Sequence, residues 1–310
     1  MQMNLSKQIE KYLDDCRGIK GLNEKTVKAY SIDLNQFMAQ CDSNCDWYSK
    51  ICVENYIKSV YDEFKPRSAK RKIACLKAFF HYLELEEILE SNPFHKIKYK
   101  RREALTLPRS IPESVVSQIL NYVYQLSNVP NKSQHFYRYI IRDIAVLELL
   151  FASGVRISEL CNLKLNDVDT KSGIIRVNGK GSRERCIQIT NLSVIKALEN
   201  YQKVFSSEIN NAEYYFINSR TNRLSEQSVR LMINKYASAI NSEIHITPHM
   251  FRHTLATLLL EEDVDIRYIQ ELLGHSSITT TQIYTHVSLS AQKKILSQKH
   301  PRNKIMIEFD

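Results

Sequence analysis

Residues 247–286 constrain the fold of this chain more than any other stretch. Thr247 can cap a helix, and Pro248 suits the first helical position, where no amide donor is needed. Apolar residues then recur at helical spacing, at Phe251, Leu255 and Leu258. The pattern predicts an amphipathic helix that buries this stripe in a hydrophobic core.

Polar residues that could take part in catalysis lie in the same stretch. His249 and Arg252 are three positions apart and therefore occupy neighbouring helix faces. His275 follows a glycine, and Tyr284 lies in a threonine-rich frame. Taken singly, these are a surface histidine, a solvated arginine, a loop histidine and a packing tyrosine. Together they favour a site that handles phosphate, with Tyr284 as the candidate nucleophile.

Composition narrows the class of protein. A length of 310 residues suits two domains, and 43% hydrophobic residues can bury a real core. The formal net charge of +9 favours a polyanionic partner such as nucleic acid, although charge alone is weak evidence. No apolar run approaches the roughly 18 residues of a membrane span, and the N-terminus lacks a signal-peptide core. We therefore expect a cytoplasmic protein with no membrane partner.

The cysteines and glycines argue against common cofactors. Seven scattered cysteines without a secretory context predict free thiols. Cys41, Cys45 and Cys52 lie close together, but no histidine or second cysteine pair completes a zinc pattern. Only seven glycines are present, and they form no phosphate-binding loop. We expect neither a metal nor a nucleotide cofactor.

The chain divides by pattern into a helical domain over residues 1–97, a basic linker over 98–109 and a second domain over 110–310. A basic cluster at residues 68–72 lies at the start of a predicted helix of the first domain. It is either a solvated helix face or a set of phosphate contacts. We take as candidate DNA contacts the basic residues of this cluster and of the linker: Lys70, Arg71, Lys72, Lys98, Lys100 and Arg101.

The second domain reads as helices around one small sheet. A polar loop over 126–136 precedes a strong helix that ends at Gly154, and Arg156 lies on the turn before a short helix containing Glu159. Residues 173–189 have the alternation and glycine-rich turn of a β-hairpin with Lys180 at its tip, and residues 214–217 suggest another strand. The predicted fold is mainly α with a small β-sheet: an all-helical domain followed by a mixed α+β domain.

The ordered set of motifs resembles the tyrosine recombinase (phage integrase) family over nearly the whole chain. The frames are Gly-Val-Arg-Ile-Ser-Glu-Leu at 154–160, Gly-Lys-Gly at 179–181, His-Met-Phe-Arg-His at 249–253, Leu-Gly-His at 273–275 and Tyr284. The short architecture and the tail at 299–302 are most similar to the Xer-type branch. The resemblance implies a core-binding domain at 1–97 and a catalytic domain at 110–310.

The resemblance also implies a catalytic set and a reaction. The set is Arg156, Lys180, His249, Arg252, His275 and Tyr284, with Glu159 in a supporting role. Such an enzyme cuts and rejoins double-stranded DNA at short inverted-repeat core sites through a 3′-phosphotyrosyl intermediate, without metal or ATP. It works as a tetramer on two DNA sites, either of one protein or with a second recombinase, and the tail after Tyr284 docks on a neighbouring subunit.

Two other classes stay open at this point. A type IB-like topoisomerase shares the Tyr–Arg–Lys–His chemistry but acts as a monomer that relaxes supercoils. A non-catalytic DNA-binding protein could keep the fold, although such a protein is expected to have lost one of the six catalytic residues, and here all six are present.

Overall fold

The computed structural model describes residues 4–41, 46–99, 110–131, 133–179, 184–262, 264–274 and 296–306. The chain forms two compact units, residues 1–106 and 107–310, and each has its own hydrophobic core. No helix within these described ranges is both long and apolar enough to cross a bilayer.

The first unit is built from helices, as its apolar stripes predict. They are α1 (Leu5–Gly18), α2 (Glu24–Gln40), α3 (Lys50–Glu63), α4 (Pro66–Leu85) and a 3₁₀ turn (Pro93–Lys96). Side-chain oxygens of Asn4, Asn23 and Ser49 cap the first three helices by accepting from backbone N–H groups of the first turn. The core is aromatic: Phe37, Phe79 and Phe80 are fully buried.

The second unit contains helices of 4 to 20 residues packed around one central helix, α6. Its helices are α5 (Glu113–Ser127), α6 (Gln134–Ser153), α7 (Ile157–Asn162), α8 (Leu192–Val204), α9 (Ser206–Ile209), α10 (Glu226–Ala239), α11 (Pro248–Glu261) and α12 (Ile266–Leu273). The loop predicted at 126–136 is shorter than expected, because α5 continues to Ser127 and Ser133 already caps α6. In α11, Phe251 and Leu255 are buried as predicted, but the stripe continues through Leu259 rather than Leu258.

The second unit also contains a three-stranded antiparallel sheet, whose middle strand contacts the short helix α7. The strands are β1 (Val168–Asp169), β2 (Ile174–Asn178) and β3 (Glu184–Gln188), in the order β1-β2-β3. The β2–β3 pair is the predicted hairpin, with the buried Ile175 opposite the buried Ile187. The sequence did not indicate β1, which has only two residues.

The strand expected at residues 214–217 does not form in the structure. Tyr215 and Phe216 are buried, and the only ladder contact of this run within the described residues is an isolated antiparallel bridge between Ile217 and Arg223. The Tyr201 hydroxyl donates to the Tyr215 carbonyl at 2.8 Å and accepts from the Ile217 N–H at 3.1 Å. The apolar run is therefore buried with one isolated bridge instead of an extended strand, and a side chain satisfies part of its backbone.

The C-terminal residues 296–306 pack on the same chain. Leu296 and Ile305 are buried in the core of the second unit. The ring of His300 donates from Nε2 to the Ala152 carbonyl of α6 at 2.7 Å, and the Arg302 guanidinium pairs with Glu148. These contacts lie within one chain, and docking of the tail on a neighbouring subunit stays a prediction.

Candidate active site

Two helix ends meet at the predicted site. Helix α6 ends at Gly154 with φ of +60°, and α12 ends at Gly274 with φ of +63°, both in the left-handed region that favours glycine. A Cβ on Gly154 would lie 2.6 Å from Cδ2 of Leu273. The last carbonyls of each helix lack intrahelical partners and carry partial negative charge. Cationic donors can therefore be anchored at this junction.

Arg252 is the most buried of these donors, with 4% of its surface exposed. It extends from α11 and donates from Nη1 to the Gly154 carbonyl at 2.8 Å and from Nη2 to the Leu273 carbonyl. Burial, together with the neighbouring charges of Arg156 and Arg185, lowers the pKa of the Arg252 guanidinium to about 10. The group therefore stays cationic at neutral pH, as a fixed positive charge inside the unit.

Arg156 caps the N-terminus of α7 and keeps 31% of its side chain exposed. Nη1 donates to Oε1 of Glu159 at 2.7 Å, and Nη2 donates to the Gly274 carbonyl at 2.9 Å. Its backbone N–H also donates to Oε2 of Glu159 at 2.8 Å. The side chain is thus held at both ends of the guanidinium while one surface faces solvent, as a phosphate-binding fork requires.

Glu159 is buried and receives hydrogen bonds from two arginines. Arg185 on β3 donates from Nη1 to Oε1 at 3.1 Å and from Nη2 to Oε2 at 2.8 Å. Burial by itself raises the pKa of the Glu159 carboxyl, but the hydrogen bonds and charges of Arg185 and Arg156 outweigh it and hold the pKa below its ordinary value. Glu159 is therefore ionised and fully engaged, which suits a supporting role.

Arg185 is the site neighbour that the sequence analysis missed. The segment 183–185 offers Arg-Glu-Arg after the glycine-rich turn, and strand alternation alone does not decide which arginine reaches α7. Its Nε also donates to the Leu272 carbonyl at 3.2 Å, next to Gly274. Three guanidinium groups therefore stand against one carboxylate, and this cluster carries an excess of positive charge.

Of the other four predicted catalytic residues, the structure describes only His249. His249 is exposed in the first turn of α11, one turn before Arg252. Lys180, His275 and Tyr284 lie outside the described residues. Lys180 belongs to the connection between β2 and β3, and His275 directly follows the anchored Gly274 in the sequence.

The proposed DNA contacts of the first unit differ in exposure. Lys70 and Lys98 are exposed, and Arg71 is half-exposed and pairs with Asp33. The structure corrects the prediction for Lys72: its side chain is 3% exposed, and Nζ donates to Oδ1 of the buried Asp33 at 3.0 Å. A buried carboxylate holds this ammonium inside the unit, so it does not face a DNA backbone. Lys100 and Arg101 lie outside the described residues.

A metal centre was not expected. Across the part of the chain that the structure describes, no three His, Cys, Asp or Glu side chains are grouped so that they could hold a metal ion.

Comparisons with known proteins identify the family of this chain. The sequence matches the phage integrase family over residues 110–290 and the phage integrase N-terminal SAM-like domain over residues 9–87. A tyrosine recombinase of Agathobacter rectalis is 51% identical over 300 residues, which cover 96% of this chain and 98% of that protein. Tyrosine recombinase XerC of Thermodesulfovibrio yellowstonii is 33% identical over 303 residues, covering 96% of this chain and 97% of that protein.

Solved structures share the fold. The XerH site-specific recombinase, bound to a palindromic difH substrate in a post-cleavage complex, matches with a TM-score of 0.70 at 18% identity, covering 94% of this chain and 84% of XerH. The two matched domains span most of the sequence, and both relatives match along nearly their whole length. The protein therefore belongs to the phage integrase family, the DNA strand-exchanging enzymes called tyrosine recombinases.

Proposed function

We propose that this protein is a site-specific recombinase that cuts and rejoins DNA through a 3′-phosphotyrosyl intermediate on Tyr284. The observation that carries the proposal is the cluster of Arg156, Arg252 and Arg185 around a single carboxylate at the junction of two helix ends. Charged forks held in a partly buried site bind a phosphate diester and stabilise the negative charge that grows on its oxygens during attack.

The cleavage step exchanges one phosphodiester for another. The phenol oxygen of Tyr284 forms a bond to the scissile phosphorus, and the bond between phosphorus and the 5′ oxygen breaks. A phenol has a pKa of about 10, so it must lose its proton as it attacks. The proton balance closes when the departing 5′ oxygen gains a proton from the enzyme.

The other residues of the catalytic set transfer these protons and stabilise the negative charge on the phosphate. Lys180 protonates the 5′ oxygen, His249 assists removal of the phenol proton, and His275 donates a hydrogen bond to a non-bridging oxygen. Arg156 and Arg252 bind those oxygens. Because the phosphotyrosyl bond conserves the phosphodiester energy, a second 5′ hydroxyl can reverse the step without ATP, and the arginines supply the charge that a metal would otherwise provide.

DNA recognition involves both domains in this proposal. Residues 1–97 form the core-binding domain, residues 98–109 a basic linker and residues 110–310 the catalytic domain. Lys70, Arg71, Lys98, Lys100 and Arg101 contact the phosphate backbone without reading sequence. The domain match over residues 9–87 supports this division.

The assembly follows the relatives. Lambda integrase has been solved as a tetramer bound to a Holliday junction, and XerH has been solved on its difH substrate. We infer that this chain likewise acts on short inverted-repeat core sites as a tetramer, of identical subunits or with a second recombinase. Either chromosome-dimer resolution or integration and excision of a mobile element is compatible with this reaction.

A nicked suicide substrate tests the reaction. The nick lets the short fragment that carries the freed 5′ hydroxyl diffuse away, so the protein stays covalently attached to the 3′ phosphate and the adduct shifts on a denaturing gel. We expect an adduct in EDTA with the wild-type protein and none with Tyr284→Phe. Tyr268→Phe, at an exposed tyrosine of α12, is the matched control and keeps the adduct.

Two results would count against the proposal. An adduct with Tyr284→Phe would move the nucleophile to another residue. If DNA binding persisted but no adduct appeared on any candidate core site, alone or with partner recombinases, the non-catalytic DNA-binding function would replace it. A strand-exchange assay distinguishes a recombinase from a topoisomerase. A recombinase exchanges strands only when two DNA sites are present, whereas a topoisomerase relaxes supercoiled DNA at a single site.

A further inference from the structure

The side chain of Arg185 connects three parts of the active site. Its backbone lies in β3, its two Nη atoms hold the Glu159 carboxylate of α7, and its Nε donates to the Leu272 carbonyl at the end of α12. Only 14% of the side chain is exposed. Its two Nη atoms form the paired bonds of a fork to the two oxygens of one carboxylate, so that fork is already occupied and is not available to bind a phosphate in the same way.

The shared carboxylate gives Arg185 an electrostatic task. Glu159 lies between two guanidinium groups and can neutralise only one positive charge. Arg185 takes both carboxylate oxygens, whereas the Arg156 side chain takes Oε1 alone and places its other terminal nitrogen on the Gly274 carbonyl. With the Glu159–Arg185 pair neutral, the positive charge of Arg156 stays uncompensated on its exposed surface.

Without Arg185, the same atoms would rearrange. Glu159 would be left buried with one cationic partner, and the strongest arrangement for that pair is two parallel hydrogen bonds. Arg156 would then turn its fork towards the carboxylate and release the Gly274 carbonyl. Its charge would be neutralised, and its orientation towards a substrate would be lost.

We propose that Arg185 is a positioning residue for Arg156, acting through Glu159. It holds and neutralises the carboxylate so that the charge and fork of Arg156 are kept for the scissile phosphate. It does not itself contact the phosphate. This inference rests on the proposed phosphotyrosyl reaction and assigns a role to a residue outside the six-residue catalytic set.

The first test compares two substrates in single-turnover adduct formation. In one, the scissile group is a normal phosphate; in the other, a methylphosphonate replaces a non-bridging oxygen with a methyl group and removes the negative charge. We expect Arg185→Gln to slow cleavage of the phosphate on the order of 10²-fold, the size of effect that misplacement of a catalytic group can cause. On the neutral substrate, the ratio of wild-type to variant rate should fall to within about threefold, because the charge of Arg156 is no longer required.

Two further arginine variants control this comparison. Arg185→Lys keeps a positive charge near Glu159 but lacks the two-pronged fork, so we expect an intermediate rate. Arg176→Gln removes an exposed arginine of the adjacent strand β2, whose side chain donates to the Asn166 carbonyl at 3.0 Å, and should match the wild type on both substrates. Thermal melting of each variant reports any loss of folding separately.

The second test asks whether Glu159 transmits the effect. In a Glu159→Gln background the carboxylate charge is absent, so adding Arg185→Gln should slow cleavage by less than about threefold. Contacting residues that act through one another give such non-additive effects. Multiplied single effects would instead indicate that Arg185 binds the phosphate directly and would overturn the positioning role.

The remaining outcomes are distinct. An equal loss on phosphate and methylphosphonate would mean that Arg185 only supports the fold, and wild-type rates for Arg185→Gln would mean that it has no role. Both results overturn the inference while the wild-type adduct preserves the proposed function. If the wild-type protein forms no adduct on either substrate, the proposed reaction itself fails, and the inference falls with it.

Discussion

The buried ion pair between Arg302 and Glu148 gives the sharpest prediction about stability. Nε and Nη2 of Arg302 donate to the two oxygens of Glu148 at 2.8 and 2.7 Å, and Nη1 donates to the Ile305 carbonyl at 2.9 Å. The Tyr124 hydroxyl donates to the same carboxylate at 2.9 Å. The side chains are 2% and 0% exposed, so water compensates neither charge.

The substitution Arg302→Met removes the cation and leaves Glu148 ionisable in a dry site. Breaking a buried pair in this way typically costs about 3–5 kcal/mol, because one charge stays buried without its partner. Domains have a free energy of unfolding of roughly 5–15 kcal/mol, so the loss is a large share of the total. By contrast, the pair of Arg230 and Glu226 on α10 is partly solvent-accessible, with Arg230 44% and Glu226 19% exposed, and Arg230→Met should cost about 0.3–0.5 kcal/mol.

Urea unfolding with two optical signals provides the assay. Trp47 is the single tryptophan of the chain and is buried in the first unit, so its fluorescence reports that unit. Far-ultraviolet circular dichroism reports both units. We expect Arg302→Met to move the circular dichroism transition of the second unit to lower urea while the Trp47 transition stays in place.

The refuting result is specific. If Arg302→Met and Arg230→Met change the free energy of unfolding by the same small amount, the Arg302–Glu148 pair is solvated in solution and the packing of residues 296–306 on α6 is not as described. The double variant Arg302→Met with Glu148→Met distinguishes the cost of an unpaired buried charge from the cost of lost packing. It removes both ions and should recover part of the loss, since a buried pair can be replaced by apolar side chains at little cost.

Three further predictions concern other contacts. Burial lowers the pKa of His300 to about 4, below its unfolded value near 6.5, so the unfolded chain gains this proton first on acidification. Stability should be complete above about pH 6.5 and fall by up to about 1.4 kcal/mol per pH unit towards pH 4, and His300→Gln should flatten that part of a urea–pH series. Gly154→Ala should destabilise the second unit by about 1–3 kcal/mol in urea unfolding, because the φ of Gly154 is +60° and a Cβ would lie 2.6 Å from Leu273. Gly18 has open space around it, so Gly18→Ala should change the free energy of unfolding little in the same assay. The Sγ atoms of Cys41 and Cys52 are 3.7 Å apart, so the thiol oxidant diamide should join them in a disulfide with loss of two hydrogens; peptide mass mapping should find it in wild type and in Cys16→Ser but not in Cys52→Ser.

Sequence patterns located the parts of the site that depend on local geometry. Gly154 ends a helix and Arg156 begins the next, so a few consecutive residues fix their placement, and the structure agrees. The β2–β3 hairpin was likewise visible, because its alternation and glycine-rich turn are local.

The parts that were missed depend on residues distant in sequence. Arg185 joins the site because α7, 26 positions away, and α12, 87 positions away, both reach its side chain. Lys72 was predicted to be a surface charge, because a basic run does not reveal that Asp33, 39 positions away, is buried and accepts a hydrogen bond from it. In both cases a buried carboxylate decides the role of a cation, and only the packed fold shows which cation it holds.

The arginine cluster also links substrate binding to placement of the nucleophile. The carbonyls of Leu272, Leu273 and Gly274 accept hydrogen bonds from Arg185, Arg252 and Arg156 respectively. The chain then continues to His275 and Tyr284 and is fixed again where His300 and Arg302 bind α6. Arg156 and Arg252, the two guanidiniums proposed to bind the phosphate, therefore also hold the start of the segment that carries Tyr284. Removing one of them should impair both charge stabilisation and alignment of the nucleophile, and a neutral methylphosphonate should restore only the first.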